Sequence, residues 1–121
     1  MATFQRFEDI QVWQKARNAT KYVYEITRNE IFSRDFGLTN QIRRASVSVM
    51  ANIAEGNGRK SNKDFANFLV MSHGSTAEVQ SHLYIALDLG YISESEFSAA
   101  YKQFDEISRM TMSLCKHLQK G

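Results

Sequence analysis

The chain contains no proline, a single cysteine and no long unbroken apolar run. Without proline, nothing along its 121 residues forces a helix to break, and turns must rely on glycine, asparagine and serine. Cys115 has no partner for an internal disulfide, which suits a reducing compartment. No segment approaches the roughly 18 apolar residues of a membrane span. The first six residues lack the apolar centre of a signal peptide. The expected setting is the cytoplasm, with no membrane partner.

Charge is missing from two internal stretches, residues 45–54 and 65–77. A helix of a soluble bundle normally shows water a charged face on every turn or so. Its absence over such lengths predicts burial on more than one side, against the chain's own bundle and against a second copy. The plainer reading is a polar but uncharged surface of serine, asparagine and histidine. Small residues favour assembly: Ala45, Ser46, Ser48, Ala51 and Ala54 are placed to meet Ser72, Gly74, Ser75 and Ala77. Gly74 in mid-helix costs about 1 kcal/mol against alanine, so a packing reason is expected for it.

What is present is helical periodicity. A composition of 43% hydrophobic and 23% charged residues excludes wholesale disorder, and the length fits one domain over residues 1–121. Four apolar stripes at helical spacing predict an all-α, antiparallel up-down-up-down four-helix bundle. The first helix is expected over residues 8–30, carrying Val12, Ala16, Ala19, Val23 and Ile26. The second starts near Leu38 or Thr39, after a break at Phe36-Gly37, and carries Leu38, Ile42, Ala45, Val49 and Ile53. It is expected to stop at Gly56-Asn57-Gly58. Ser61 to Asp64 and Ser93 to Glu96 read as capping boxes that open the third and fourth helices, the third ending at Gly90. Phe65, Leu69, Ser72, Thr76, Val79, Leu83 and Ala86 form the third stripe. Phe97, Tyr101, Phe104, Ile107, Thr111, Leu114 and Leu118 form the fourth.

Candidate chemistry is sparse. A di-metal bundle site needs Glu-x-x-His on two helices, but Val70, Val79 and Leu114 stand three residues before His73, His82 and His117. Glu78 and His82 are four apart, the spacing of an ordinary contact along a helix. Cys115 lies on an apolar stripe, and residues two apart on a helix do not face each other, so it forms no dyad with His117. No catalytic residue, metal or cofactor is expected, and the protein reads as a non-enzyme.

Two polar groups remain. Asn52, Glu55, Ser75 and Glu78, with Arg59 nearby, suggest a hydrogen-bonded network that fixes helix register rather than a ligand site, since a carboxylate beside uncharged runs needs a partner. The second group is basic. Residues 36–63 hold five cations (Arg43, Arg44, Arg59, Lys60 and Lys63) against one acid, whereas residues 64–121 hold four against seven. Arg43 and Arg44 lie about 24 Å along the helix from the other three. Charge alone leaves nucleic-acid binding and ion pairing with a neighbouring subunit equally open.

Several motifs occur together: Val12-Trp13-Gln14-Lys15-Ala16, Phe36-Gly37-Leu38-Thr39, Gln41-Ile42-Arg43-Arg44-Ala45, Asn52-Ile53-Ala54-Glu55-Gly56, Gly58-Arg59, Phe68-Leu69, Gly74-Ser75 and Leu89-Gly90-Tyr91-Ile92. With them the chain resembles, over nearly its full length, the four-helix bundle proteins encoded in 23S rRNA intervening sequences, also labelled ribosomal proteins. The resemblance implies a barrel-like homopentamer. It also implies kinship with the accessory variability protein of diversity-generating retroelements, which binds RNA or DNA and a reverse transcriptase. The first reading is therefore nucleic-acid binding, with Arg43, Arg44, Arg59, Lys60 and Lys63 expected to contact phosphates. A protein scaffold docking such a polymerase, with no nucleic-acid role of its own, is the rival. The chain departs from the family pattern in three places. Met50 and the turn at residues 31–35 stand where relatives carry proline, predicting a straighter second helix and a looser turn. Glu78-Val79-Gln80-Ser81 lacks the second acid of the family pattern, weakening any role for paired carboxylates there.

Overall fold

The proline-free stripes become helices α1 (Gln11–Ile26), α2 (Glu30–Arg34), α3 (Phe36–Asn57), α4 (Asn62–Asp88) and α5 (Glu94–Lys120), preceded by one 3-10 turn at Phe7–Asp9. The computed structural model describes residues 4–120. Residues 1–3, half of the segment considered above for a signal peptide, and residue 121 lie outside them. Among the described residues there is no strand, and no helix is long and apolar enough to cross a membrane.

Each long helix packs on two others: α3 and α5 both lie against α1 and against α4. The pairings run antiparallel. Thr20 meets Ser46 and Thr27 meets Arg43 between α1 and α3. Ser72 donates to the Val49 carbonyl at 2.8 Å between α4 and α3. Cys115 on α5 lies against the Ala66 carbonyl near the start of α4, and Lys15 pairs with Glu106 between α1 and α5. The four stripes supply the core, with Val23, Ile42, Val49, Ile53, Leu69, Leu83 and Phe104 fully buried. Each such side chain contributes about 1.5–3 kcal/mol on leaving water. Phe97, Tyr101 and Leu114 are only partly buried.

Caps fix the helix ends. Ser93 and Glu96 exchange both bonds of a capping box, at 2.9 and 3.0 Å, and so satisfy two otherwise orphaned amides. Ser61 accepts from the Asp64 amide at 3.1 Å. Gly90, with φ +74°, ends α4 in a left-handed turn that returns the Tyr91 amide to the Ala86 carbonyl.

The first connection differs from expectation. Glu8 and Asp9 lie in the 3-10 turn, and α1 begins at Gln11 and stops at Ile26 rather than running over residues 8–30. The Thr27 hydroxyl turns back to the Val23 carbonyl at 2.8 Å. Asn29 then caps a new helix by accepting from the Phe32 amide at 2.7 Å. Residues 31–35 are therefore not loosened by the lack of proline. Phe32 is fully buried against the Tyr91 ring, and the Asn29 amide group donates to the Tyr91 carbonyl at 2.8 Å. No break occurs at Phe36-Gly37, because Asp35 caps α3 through the Leu38 amide at 3.0 Å. The helix runs unbroken through Met50.

The close packing expected at Gly74 occurs instead at Gly56. The α3 helix stops where expected, ending at Asn57 with Gly58 as its C-cap, and Gly56 in its last turn has a packing role besides. A Cβ there would stand 2.8 Å from the Phe68 Cβ and 2.9 Å from the Phe65 ring, so glycine permits the close approach of α3 and α4. Gly74 is exposed, and a Cβ would meet nothing within 4 Å. Its expected packing reason does not exist within one chain.

Candidate functional site

Of the five cations read from the sequence, two are engaged inside the chain. The Arg43 guanidinium lies 4.5 Å over the Tyr24 ring and donates to the Thr27 hydroxyl at 2.9 Å, pinning α3 to the end of α1. Arg59 lies 4.7 Å over the Phe68 ring and pairs with Glu55 at 2.8 Å, bracing the α3–α4 turn. Arg44, Lys60 and Lys63 are exposed and make no ion pair among the described residues.

The polar group divides. Asn52 donates to the Ser48 carbonyl and hydroxyl at 2.9 and 3.0 Å, and Ser75 donates to the same hydroxyl at 3.0 Å. This chain ties α3 to α4 and has Ser48 at its centre, a residue noticed in the sequence only for its size. Glu55 and Glu78 stand apart from it. Their side chains are more than half exposed, and each contacts a residue one turn on, Arg59 and His82 respectively. A carboxylate left in water needs no buried partner, which is why neither joins the network.

The outward face of α3 and α4 is the most unusual surface. Val47 and Ala51 are exposed on α3, as are Val70, Met71, Gly74 and Ala77 on α4. The uncharged runs therefore keep one side in the core and present the other, apolar and small, to solvent. Unpaired cations stand beyond them, Arg44 on α3 and Lys60 and Lys63 at the α3–α4 turn.

Deeper concavities offer little convergent chemistry. A groove of about 550 Å³ between the start of α1 and the end of α5 has Asp9 and His117 among its lining residues, with Phe4, Ile10, Met110 and Leu114 supplying much of the rest. Cys115 is buried and free. No cluster of three His, Cys, Asp or Glu residues able to hold a metal occurs among the described residues. Three tyrosine hydroxyls have raised pKa values: Tyr22 through burial, Tyr91 through its hydrogen bond to Asp35, and Tyr101 through the neighbouring Tyr84.

Four antiparallel helices around an apolar core, with distinctive features on the outer surface rather than in a cleft, define a helical bundle protein. Its family follows from comparison. The sequence profile of the 23S rRNA-intervening sequence protein family matches residues 8–113, and the chain belongs to that family. It is similar to the crystal structure of a protein of unknown function from the S23 ribosomal protein family of Bacteroides thetaiotaomicron VPI-5482. The two share 25% sequence identity and a TM-score of 0.80, over 87% of this chain and 98% of that one. No curated protein matches the chain.

Proposed function

We propose that the protein is a non-enzymatic homo-oligomer, a pentamer as its family resemblance implies, that binds nucleic acid through a basic surface. The observation that carries this reading is the outward face of α3 and α4: uncharged and partly apolar through its middle, with unpaired cations beyond it. Copies that cover one another's apolar middles leave the cations in water and repeat them around the assembly. Repetition turns a small patch into a band that meets successive phosphates and releases their counterions. The non-enzymatic part is supported by Glu30, Glu55, Glu78 and Asp105, each of which contacts a residue one helical turn away on the surface rather than converging with other acids.

Light scattering across a dilution series tests the assembly, and retention of labelled RNA and DNA across a salt series tests the binding. Five copies and a binding constant that falls steeply with salt are expected. A folded monomer at every concentration would overturn the reading of the α3–α4 face, and failure to retain either nucleic acid would overturn the binding.

A second reading, a scaffold that docks a protein partner such as a reverse transcriptase, is favoured by another observation. Ile31, Phe36 and Leu89 are 58%, 76% and 55% exposed where α2 and the α4–α5 turn meet. That reading expects no nucleic-acid retention near physiological salt.

A further inference from the structure

The antiparallel topology assembles a larger basic cluster than the sequence showed. Near the end of α5, Cys115 lies 3.7 Å from the Ala66 carbonyl, and Leu118 and Gln119 share a cavity of about 420 Å³ with Lys63. Lys116 and Lys120, on that same stretch of α5, are thereby carried to the end of the bundle that holds Arg59, Lys60 and Lys63. Both are exposed, and like Lys60 and Lys63 they make no ion pair among the described residues. Residues 55–67 and 113–120 together hold five of the chain's fifteen cations and two of its thirteen acids, a net +3 against +2 for the whole chain. One of those acids, Glu55, is already paired with Arg59. Residues 4–12, whose Asp9 lines a groove with His117 at this same end, add Arg6, Glu8 and Asp9, so the end carries a net +2, the whole of the chain's excess.

We propose that nucleic-acid phosphates are met by this end of the bundle, through Lys60, Lys63, Lys116 and Lys120 with Arg59 held beside them, and that Arg43 and Arg44 take no part. The inference rests on the nucleic-acid reading above and assigns its surface. Lys60 and Lys63 flank the N-terminus of α4, where the helix dipole disfavours cations and Asp64 offsets only part of the cost. An external anion relieves that arrangement. Arg43 is excluded because its guanidinium is held by Tyr24 and Thr27. Arg44 is excluded because it lies about 20 Å along α3 from the helix end that carries the cluster. Four flexible lysines present point charges, and the planar fork of Arg59 is held by Phe68 and Glu55, so the contact is to the backbone and indifferent to sequence.

The test uses the full-length protein, a single-stranded RNA and a DNA of the same sequence, each labelled for anisotropy. The variant K60Q/K63Q/K116Q/K120Q is compared with R44Q and wild type from about 50 to 200 mM salt. Removing four phosphate contacts from each copy that touches the strand lowers the slope of log affinity against log salt by about 3 per such copy and weakens binding at least about a hundredfold at 0.1 M. R44Q is expected to bind like wild type. Circular dichroism and solution mass check that both variants keep the wild-type fold and assembly. Comparable affinity for RNA and DNA is expected, and a preference above about tenfold for either would overturn a phosphate-only surface. If the quadruple variant binds normally while R44Q fails, the end assignment falls and the nucleic-acid reading survives. If wild type binds neither probe, both fall together.

Discussion

Replacing Gly74 by alanine separates what one chain requires from what an assembly requires. Within the chain, Gly74 sits in the middle of a 27-residue helix, exposed, with open space where a Cβ would stand. Alanine there recovers helix propensity and loses no contact, so the isolated chain should gain about 1 kcal/mol. For a domain of this size that raises the melting temperature by about 4 °C. If α4 of one copy lies against another copy at this point, the added methyl instead holds two helices apart and weakens association. The assay is urea unfolding followed by circular dichroism over a hundredfold range of protein concentration, paired with light scattering. At the lowest concentrations Gly74→Ala should be the more stable protein. At higher ones the advantage should shrink or reverse, with dissociation occurring at a higher concentration than in wild type. A constant gain of about 1 kcal/mol at every concentration, with unchanged mass, would refute the idea that this face is covered by a copy.

Other outcomes follow from single contacts. Gly56→Ala should destabilise by about 1–3 kcal/mol in the same urea assay, opposite in sign to Gly74→Ala, because its Cβ meets the Phe68 Cβ at 2.8 Å. Asn29→Ala should cost about 1 kcal/mol for the lost cap on α2, and more for the lost bond to the Tyr91 carbonyl. Arg43→Gln should cost about 1 kcal/mol of stability through its lost Tyr24 stacking, while nucleic-acid retention stays at the wild-type level. The Tyr91 hydroxyl donates to Asp35 at 2.9 Å, which raises its pKa above 10.0. Its contribution is complete below pH 10 and is lost as pH climbs through the folded-state value. Urea midpoints between about pH 8 and 11 should therefore fall less steeply in Tyr91→Phe than in wild type.

The long helices and most of their caps were legible because they depend on residues a few positions apart. The stripes of α1, α3 and α4 are buried throughout, and the Ser93–Glu96 box forms both of its bonds. Helix α2 was missed because its stability is not local. It depends on Phe32 filling the core and on Asn29 reaching Tyr91 across 62 positions of sequence. The helix stop at Gly56-Asn57-Gly58 was legible, but the packing role of Gly56 and the open space at Gly74 were not, because neither glycine reveals whether another helix lies against it. On the candidate surface, Arg44, Lys60 and Lys63 are exposed as a count of charge suggests, but Arg43 is drawn inward by Tyr24 of α1 and by Thr27, which caps it. Lys116 and Lys120 were overlooked because they fall in a stretch that is acidic on average. Only the return of α5 brings them beside Lys63.

The triangle of Asn29, Asp35 and Tyr91 joins both chain reversals at one end of the bundle, through bonds of 2.8 and 2.9 Å and the buried Phe32–Tyr91 ring contact. Neither reversal can fray without releasing the other, so the two behave as one cooperative opening unit. Native-state hydrogen exchange should then show the amides of Phe32 and Tyr91 opening with a shared free energy. Asn29→Ala should lower both protection factors by the same ratio. Protease nicking at either turn should expose the other, making this end of the molecule a single latch rather than two independent loops.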